Sequence, residues 1–492
     1  MNIAASAERW PARSGAGSSL LTTRLAKLLA SFGSYTTNCL SKGSRMRYLR
    51  RTAVVAAVLG TCLGVCVTVL PAAAAAPGGH RARTERVSVT ADGAEANGES
   101  GQGKISGDGR VVVFSSGAGN LIPGDTRKGG PFVKDLRTGR VERVAVATDG
   151  TPADGSTWDA AVSGNGRYVV FSSDATNLVP GGNPTGSTEV YVRDRWTRRT
   201  EILIGDPKQA RVDNSEPSIS ADGRYVAFLS TRSDLVPGDT NNARDVFVKD
   251  RWRGTVKRVS VASDGTQGDG ESISPVISAN GSRVGFKSRA SNLVPQAGTG
   301  KELLARPRAR VFYAHELRTG RTELAAHSLT GSKVAVLTDI GLSPDGRYAL
   351  FMSANSDIVA GDTNHTADAF ATDLRTGDTR RLSVAADGAE ANGMSYGHVA
   401  MSADNRYAFF TSAASNLVPG DTNGKEDVFV RDLRTGAVQR VNVASDGAQA
   451  NEFSLNFGVD LSGRTAVFDS AAGNLVPKDT NGGGDVFLRH LR

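Results

Sequence analysis

Residues 402–451 read SADNRYAFFTSAASNLVPGDTNGKEDVFVRDLRTGAVQRVNVASDGAQAN, and most of the chain repeats this pattern. Aligned on the Arg or Ser that follows the first turn, the copies are spaced by 57, 57, 58, 65, 59 and 58 residues. The anchors are Arg110, Arg167, Arg224, Ser282, Arg347, Arg406 and Arg464. A fixed period of this length is typical of propellers, solenoids and arrays.

Each copy contains four short runs with the periodicity of β-strands. In the third copy we predict strand A at 216–220, strand B at 225–230, strand C at 245–251 and strand D at 255–261, rich in β-branched and aromatic residues. The A–B turn at 221–223 is Ala-Asp-Gly, and Asp-Gly favours tight hairpins. Four antiparallel strands with short connections predict one blade of a β-propeller.

The two ends of the repeat region predict that the ring closes. Residues 85–93, ERVSVTADG, match 439–447, QRVNVASDG, which is a strand D, whereas the last copy stops at a strand C in 485–492. The N-terminal strand should therefore complete the last blade and remove the free edges of the array. We predict an all-β fold, a seven-bladed β-propeller of four-stranded antiparallel blades over 84–492.

The first 83 residues carry the features of a leader. We predict a disordered extension at 1–45, a signal peptide at 46–76 and a linker at 77–83, with translation from Met1 or Met46 left open. The signal has a basic start, an apolar run at 53–70 and small residues before 77. Export by the Sec or Tat route would make the protein secreted or part of the cell envelope. The alternative is a membrane-anchored surface protein that retains the apolar run.

Charge and cysteine content exclude several classes of function once the leader is set apart. Residues 1–76 hold nine basic residues and one acidic residue, so the remainder has 49 of each and no net charge. We therefore expect no nucleic-acid partner and no membrane contact after signal cleavage. All three Cys lie in the leader, which excludes disulfides, a thiol nucleophile and Cys metal ligands from the propeller.

The B–C loops carry the strongest candidate for a ligand site. Strand alternation places the D–A and B–C loops at one end of the ring, and longer loops are where rigid scaffolds carry function. Four B–C loops read D-T-N-x-x-x-D, and hard oxygen donors at such spacing suit Ca²⁺. The candidate ligands are Asp239, Asn241, Asp245, Asp362, Asn364, Asp368, Asp421, Asn423, Asp427, Asp479, Asn481 and Asp485. The alternative is that they form Asx-turns and strand caps.

The fourth copy has the longest B–C loop, at 295–310, and it is locally basic. Its cations, Lys301, Arg306, Arg308 and Arg310, are the candidate contact for a partner. The alternative is an insertion that the surface tolerates.

Two further patterns, a possible catalytic motif and a set of three tryptophans, require a separate interpretation. Gly393-Met-Ser395-Tyr-Gly397 fits the nucleophile elbow G-x-S-x-G, but it precedes a strand A rather than a helix, so we interpret it as coincidence. Trp158, Trp196 and Trp252 lie in or at the ends of strands, and we expect core packing to explain them rather than a platform for sugars.

The repeats resemble a known family. SADGRYVAF (220–228), SPDGRYALF (343–351) and the strands D-V-F-V-[KR]-D at 245–250 and 427–432 are similar to WD40-like PD40 repeats of TolB-type propellers. The resemblance covers about 84–492 and implies an exported interaction module. Seven copies without an α/β domain depart from TolB, which resembles an α/β domain with six blades.

These observations favour an exported, non-catalytic propeller that binds an unknown protein or glycan on its long-loop face, as a monomer that calcium stabilises. The main alternative is a glycan-active hydrolase or lyase that uses the central pocket. Such an enzyme needs His, Arg and carboxylates clustered on one face, and the sequence displays no such cluster.

Overall fold

The computed structural model describes residues 82–125, 129–205, 212–295 and 309–491. Within these ranges 28 strands form seven four-stranded antiparallel sheets. Six sheets consist of four consecutive strands each, and the seventh combines the last three strands with the first. The prediction of an all-β, seven-bladed propeller closed by its N-terminal strand is confirmed.

The strands are numbered in chain order and grouped by blade. Blade 1 contains β2 (Ser100–Ile105), β3 (Val111–Ser116), β4 (Gly130–Asp135) and β5 (Val141–Arg143); blade 2 contains β6 (Thr157–Val162), β7 (Tyr168–Ser173), β8 (Glu189–Asp194) and β9 (Arg199–Ile202). Blade 3 contains β10 (Asn214–Ile219), β11 (Tyr225–Ser230), β12 (Asp245–Asp250) and β13 (Thr255–Arg258); blade 4 contains β14 (Ser272–Ile277), β15 (Arg283–Ser288), β16 (Val311–Glu316) and β17 (Thr322–Leu324). Blade 5 contains β18 (Gly341–Leu342), β19 (Tyr348–Ser353), β20 (Asp368–Asp373) and β21 (Thr379–Arg381); blade 6 contains β22 (Ser395–Met401), β23 (Tyr407–Ser412), β24 (Asp427–Asp432) and β25 (Val438–Arg440). Blade 7 contains β26 (Ser454–Val459), β27 (Thr465–Ser470), β28 (Asp485–His490) and, at its edge, β1 (Arg83–Arg86).

Blade 3 shows how close the sequence pattern came to the strand boundaries. Strand B matches the prediction, and strand C ends one residue earlier, at Asp250. Strand A begins at Asn214 rather than at 216, and strand D ends at Arg258 rather than at 261. Strand D is shorter because the chain bends away after Arg258, where the Ser260 hydroxyl bonds the Asp245 carboxylate at 2.6 Å.

The hydrophobic core lies between the blades. Among the described residues, seven apolar clusters each join two neighbouring blades. Ala227 and Val246 of blade 3, for example, pack with Phe286 and Tyr313 of blade 4. A blade therefore buries both faces of its sheet, and no single blade has a core of its own.

The long loops of a blade contact each other at one end of the ring. In blade 6 the hydroxyl of Thr422, in the B–C loop, donates to Oε1 of Gln449, in the D–A loop, at 3.2 Å. Thr240 and Gln267 make the same contact in blade 3 at 3.2 Å. These two kinds of loop form the long-loop face, and the A–B and C–D turns form the hairpin face.

The leader lies outside the described residues. The predicted extension at 1–45, the signal peptide at 46–76 and most of the linker at 77–83 are not covered. In the part of the chain that the structure describes, no helix is long and apolar enough to cross a membrane.

Ring closure depends on β1. Its register with β28 runs from Arg83 opposite His490 to Arg86 opposite Phe487. The backbone N–H of Val87 then donates to Val486 at 2.7 Å, and the Val87 side chain is 1% exposed in the cluster between blades 7 and 1. The N-terminal segment thus supplies both strand pairing and core.

Deleting residues 84–92 should strongly lower the melting temperature, because blade 7 loses its edge strand and the cluster between blades 7 and 1 loses Val87. The substitution Val87→Ala alone should cost about 2 kcal/mol of unfolding free energy. Thermal unfolding followed by circular dichroism measures both. Arg83→Ala is the control, since that side chain is 62% exposed. Unchanged stability in the deletion would contradict closure by β1.

Candidate functional site

The first strand of each blade lines the axis of the ring. These strands are β2, β6, β10, β14, β18, β22 and β26, and each contacts the first strands of both neighbouring blades, so that they close a circle. In six blades a register shift interrupts their pairing with the second strand. Such a bulge bends the strand and redirects a side chain.

Four of these bulges hold a non-glycine residue in the left-handed conformation. The backbone φ is 57° at Gln102, 53° at Asp159, 51° at Glu216 and 54° at Ser274. This conformation costs an L-residue about 1–3 kcal/mol, and residues that adopt it cluster at functional sites. Four of the nine described non-glycine residues with a positive φ thus lie at the axis, and all four carry polar side chains.

The bulges also release backbone N–H groups from the strand ladder, and these groups bind the preceding blade. Gln102 donates from its backbone to Oδ2 of Asp469 at 2.5 Å, and Ser274 donates to Oε2 of Glu216 at 2.7 Å. The Glu216 backbone in turn bonds the Asp159 carboxylate. Carboxylates on one blade are thus held at the axis by the backbone of the next.

A chain of hydrogen bonds joins blades 5, 6 and 7 at the axis. Nε2 of His398 lies 3.1 Å from Oδ2 of Asp339 and 2.8 Å from Oδ1 of Asn456. Asn456 donates through Nδ2 to Oδ2 of Asp469 at 3.0 Å. Because both neighbours of Nε2 are acceptors, the ring proton belongs on Nε2. The chain therefore fixes the tautomer and the orientation of the imidazole.

Two lysines face carboxylates across the axis. Lys104 of blade 1 interacts electrostatically with Asp159 of blade 2 and with Asp339 of blade 5. Lys287 of blade 4 donates from Nζ to a blade 5 carbonyl at 2.8 Å and interacts with Asp339 and Glu216. Burial lowers the pKa of both amines below the ordinary 10.5, because the charged form loses hydration.

The carboxyl groups at the axis shift in the opposite sense. Burial raises the pKa of Asp159, Glu216 and Asp469, and the negative charge of Asp159 adds to the effect on Glu216. Amines with a lowered pKa beside carboxyls with a raised pKa bring acids and bases toward the same pH range. Such pairs are what general acid–base catalysis requires.

A cavity of about 680 Å³ opens beside this cluster. Gln102, Asn456 and Asp469 line it together with residues of the long loops, and Phe453 at its edge is 40% exposed. The volume lies within the range of small-molecule sites. The cavity can therefore admit a ligand to the polar cluster from the long-loop face.

The sequence analysis missed this site because its residues lie on different blades. Gln102, Asp159, Glu216 and Ser274 are spaced by 57, 57 and 58 residues, so they occupy one position of the repeat. That position stays polar while the residue type changes from copy to copy. The signal available in the sequence was a repeat position that is polar in these four copies but holds a different residue type in each.

The D-T-N-x-x-x-D loops each close on an arginine. In blade 3, Nη1 of Arg258 lies 3.3 Å from Oδ1 of Asp239 and 3.9 Å from Oδ2 of Asp245. Asn241 donates to Oδ2 of Asp245 at 3.1 Å and accepts from the backbone of Ala243 at 3.0 Å. The asparagine thus caps its own turn, and the guanidinium lies against both carboxylates and offsets one of their two negative charges.

The arrangement recurs in the other three loops. In each loop the arginine pairs with both aspartates, and the asparagine donates to the second aspartate. The sets are Arg381 with Asp362, Asn364 and Asp368; Arg440 with Asp421, Asn423 and Asp427; and Arg86 with Asp479, Asn481 and Asp485. The four arginine side chains are only 6 to 8% exposed. The guanidinium supplies the positive charge that calcium would supply, which favours the turn interpretation. Calcium binding by these loops stays a prediction.

Burial and pairing shift the pKa values of these loops in opposite directions. Burial raises the pKa of Asp427 to about 6, an effect that bonding to Asn442 and the charge of Arg440 partly offset. Hydrogen bonds from Thr363 and Arg381 hold the pKa of Glu390 at about 2. Arg440 therefore helps to keep the buried Asp427 carboxylate ionised at neutral pH.

Among the described residues, one group of carboxylates is close enough together to hold a metal ion: Glu95, Asp479 and Asp485. Arg86 already lies among them, with Nη2 at 3.6 Å from Asp479 and Nη1 at 3.3 Å from Asp485, and it also hydrogen-bonds Glu95. A cation there would have to displace the guanidinium, so these residues do not fit a resident metal.

Of the four cations predicted to contact a partner in blade 4, only Arg310 lies in the part of the chain that the structure describes. Lys301, Arg306 and Arg308 lie outside the described residues. Nη2 of Arg310 pairs with Oε2 of Glu271 at 2.6 Å. That cation is therefore already bound by a neighbouring loop, and a role of this loop in partner binding stays a prediction.

The structure agrees with the interpretation of the G-x-S-x-G pattern but not with that of the tryptophans. Ser395 of the G-x-S-x-G pattern starts β22, is buried and bonds Ser412 at 3.2 Å, in agreement with coincidence. The expectation that core packing explains the tryptophans is wrong for Trp196 and Trp252, which are each 65% exposed. Both lie in C–D turns, where the indole projects from the end of the sheet.

No protein-family model and no curated protein matches the chain. The PD40 assignment is therefore not confirmed. Among solved structures, an oligogalacturonate lyase from Vibrio parahaemolyticus matches with a TM-score of 0.50 and 10% identity, covering 83% of this chain and 93% of that one. An oligogalacturonate lyase described in complex with manganese matches with a TM-score of 0.50 and 12% identity, covering 84% and 93%. A protein described as TolB from Agrobacterium tumefaciens matches with a TM-score of 0.37 and 15% identity, covering 62% and 89%.

The two matches with a TM-score of 0.50 support the propeller fold and correct one prediction. The prediction of a non-catalytic binding module is wrong: the two matches with a TM-score of 0.50 are enzymes. An enzyme was expected to need a cluster of His, Arg and carboxylates, and at the axis lysines stand in place of the expected arginines. Folding assembles such a cluster at the axis, from Lys104, Asp159, Glu216, Lys287, Asp339, His398 and Asp469.

Arg381→Met should destabilise the protein by about 3–5 kcal/mol, because it leaves the buried Asp368 carboxylate without its partner. The matched control is Arg375→Met in the same blade, since Arg375 is 69% exposed. Urea unfolding at neutral pH measures both variants.

The same pair of variants tests acid sensitivity. The folded-state pKa of Glu390 is about 2, below the ordinary 4.5, so its stabilising contribution is present above pH 4.5 and lost as the pH falls toward 2. Arg381→Met should flatten this part of the pH profile. Equal stability of the Arg381 and Arg375 variants would rule out the arginine as the counter-ion.

Proposed function

We propose that this protein is a glycan-active enzyme that cleaves uronate polysaccharides by β-elimination at the axis of the propeller. The observation that carries the proposal is a cluster at the axis: Lys104 and Lys287 interact electrostatically with Asp159 and Glu216, which lie on strained bulges, and His398 pairs with Asp339. The cavity of about 680 Å³ reaches the Asp469 end of this cluster from the long-loop face, whereas Lys104, Lys287 and His398 lie outside its lining.

The cluster contains the groups that elimination needs. A base must remove the proton from the carbon α to the uronate carboxylate, a cation must offset the charge of that carboxylate, and an acid must protonate the departing glycosidic oxygen. The C–H and C–O bonds break, a C=C bond forms, and no oxidant or reductant takes part. We assign Lys104 as the base, Lys287 as the cation and His398 as the acid.

The assignment of the lysines follows from their surroundings. Burial lowers the pKa of both Lys104 and Lys287 and increases the neutral fraction of each, so the pKa shift does not separate their roles. Lys287 is anchored by the Thr338 carbonyl at 2.8 Å, so its ammonium is held in place. Asn456 and Asp339 hold His398 through Nε2, so to act as the acid the imidazole must carry a second proton on Nδ1 and deliver it from there.

The same fold carries oligogalacturonate lyases in two solved structures, one of them described with manganese. At 10% and 12% identity their substrate is a property of those proteins, and for this chain a uronate substrate is our proposal. A polymeric substrate agrees with the predicted export of a monomer through the leader.

A second candidate is hydrolysis of the glycosidic bond. The Asp159 and Glu216 carboxyls both have a raised pKa, and the charge of Asp159 acts on Glu216. One protonated and one ionised carboxyl are the groups that glycosidases use. The two chemistries differ in product, since only elimination leaves a C=C bond conjugated to the carboxylate.

Incubation with polygalacturonate and other uronate polymers should release reducing ends together with the ultraviolet absorbance of an unsaturated uronate. Lys104→Met should lower kcat by roughly 10²–10⁴-fold, the contribution of a general base. The wild-type rate should rise with pH in the alkaline range, because only the neutral amine of Lys104 accepts a proton.

The control is Arg375→Met, which removes an exposed cation of blade 5 that belongs to neither proposed site. Circular dichroism checks that both variants fold. Reducing ends without the absorbance would favour hydrolysis. Full activity of folded Lys104→Met, or no product from any uronate polymer, would overturn the proposal.

Calcium at the four D-T-N-x-x-x-D loops has a separate test. A ligand that binds only the folded state at 100 times its Kd adds about 2.7 kcal/mol to the unfolding free energy. Because an arginine already supplies positive charge in each of these loops, we expect the same melting temperature in EGTA and in millimolar Ca²⁺. A rise that Ca²⁺ alone causes, with Mg²⁺ as control, would establish calcium binding.

A further inference from the structure

Two exposed tryptophans break the repeat on the hairpin face. Trp196 follows strand β8 and Trp252 follows strand β12, and each is 65% exposed. In blades 1, 4, 5 and 6 the same repeat position is an arginine: Arg137, Arg318, Arg375 and Arg434. The fold therefore does not require an aromatic residue here, and two adjacent blades differ from the rest.

Each indole is held in a fixed orientation. The Arg167 guanidinium lies 4.8 Å from the ring centroids of both Tyr168 and Trp196, and it binds Asp194 through Nε and Nη2 at 3.1 and 2.7 Å. The Trp196 backbone N–H also donates to Asp194 at 3.0 Å. The indole is therefore stacked on one side by a guanidinium while most of its surface stays in solvent.

Blade 3 repeats the arrangement. Arg224 lies 4.6 Å from the ring centroid of Tyr225 and 5.0 Å from that of Trp252, and it binds Asp250 at 3.0 and 2.7 Å. In blades 5 and 6 the corresponding Arg–Tyr stacks and Arg–Asp pairs form without a tryptophan. The indoles are thus additions to a scaffold that is complete without them.

The surface around the indoles is basic. Arg198, Arg199, Arg253 and Lys257 are exposed on the same two blades. The neighbouring carboxylates of Asp194 and Asp250 are neutralised by Arg167 and Arg224, and Glu201 pairs with Arg251 at 2.8 Å. Asp222, in the A–B turn of blade 3, is a further exposed carboxylate, and the four exposed cations outnumber it, so the net charge of this patch is positive.

From this combination we propose that the hairpin face of blades 2 and 3 binds an acidic polysaccharide chain. Sugar rings stack on the exposed faces of Trp196 and Trp252, since aromatic faces suit apolar C–H surfaces. Exposed guanidinium groups pair with the uronate carboxylates. The site lies at the opposite end of the ring from the cavity, so it anchors the polymer rather than cleaves it, and its use rests on the proposed function.

The repeat itself offers a matched variant. Trp196→Arg/Trp252→Arg installs the residue that four other blades carry, so the fold should keep its melting temperature. It removes stacking and adds positive charge. If binding is purely electrostatic, this variant should bind a polyanion more tightly; if stacking contributes, it should bind more weakly.

The experiment is affinity electrophoresis and calorimetry with the full chain, using polygalacturonate as probe and dextran as the neutral control. We expect wild-type protein to bind polygalacturonate and not dextran, and Trp196→Arg/Trp252→Arg to bind about tenfold more weakly, the loss of two stacking contacts. Arg198→Gln/Arg199→Gln/Arg253→Gln should weaken binding and reduce its salt dependence.

Further outcomes decide between partners. Unchanged or tighter binding by the Trp→Arg variant, or equal competition by polyglutamate or single-stranded DNA, would overturn the proposal in favour of a general polyanion surface. Binding by Lys104→Met should equal that of wild-type protein, which separates this site from the axis. Loss of activity in that variant with intact binding tests the axis alone.

Discussion

Closure of the ring by β1 is the contact on which the other features depend. Each blade has two apolar faces and can bury them only against its neighbours, so an open array would leave two faces and two strand edges in water. The pairing of β1 with β28, together with Val87, seals the last interface. It also fixes the circle of first strands, and without that circle Lys104 of blade 1 could not lie across the axis from Asp339 of blade 5.

A second feature shared by four blades is a group of buried carboxylates that is paired with an arginine. The D-T-N-x-x-x-D loops bury carboxylates, and an ionised carboxylate away from water is costly unless a cation accompanies it. An arginine at the end of strand D provides that cation, as Arg258 does for Asp239 and Asp245. The motif resembles the start of a calcium loop because buried carboxylates require a positive charge nearby, which either an arginine or a calcium ion can supply. The four-residue strand β13 has the length that brings Arg258 to the loop.

Both proposed sites lie where the repeat is broken. At the axis the bulged position changes from Gln102 to Asp159 to Glu216, and the result is an asymmetric set of acids and bases inside a symmetric scaffold. On the hairpin face the same principle places Trp196 and Trp252 where other blades have arginine. Repeated residues hold the ring together, and the two proposed sites are built from the exceptions to the repeat.

The sequence by itself determined the propeller, the number of blades and the closing strand, because period, strand alternation and turn residues are local properties of the chain. It also determined which loops share a face. Only the tertiary structure decided which side chains meet at the axis, since His398, Asn456 and Asp469 come from different strands and their contacts depend on where the bulges fall. It likewise decided that Arg258 reaches Asp239, and that Trp252 stays in solvent, because burial depends on what the neighbouring blade places opposite a residue.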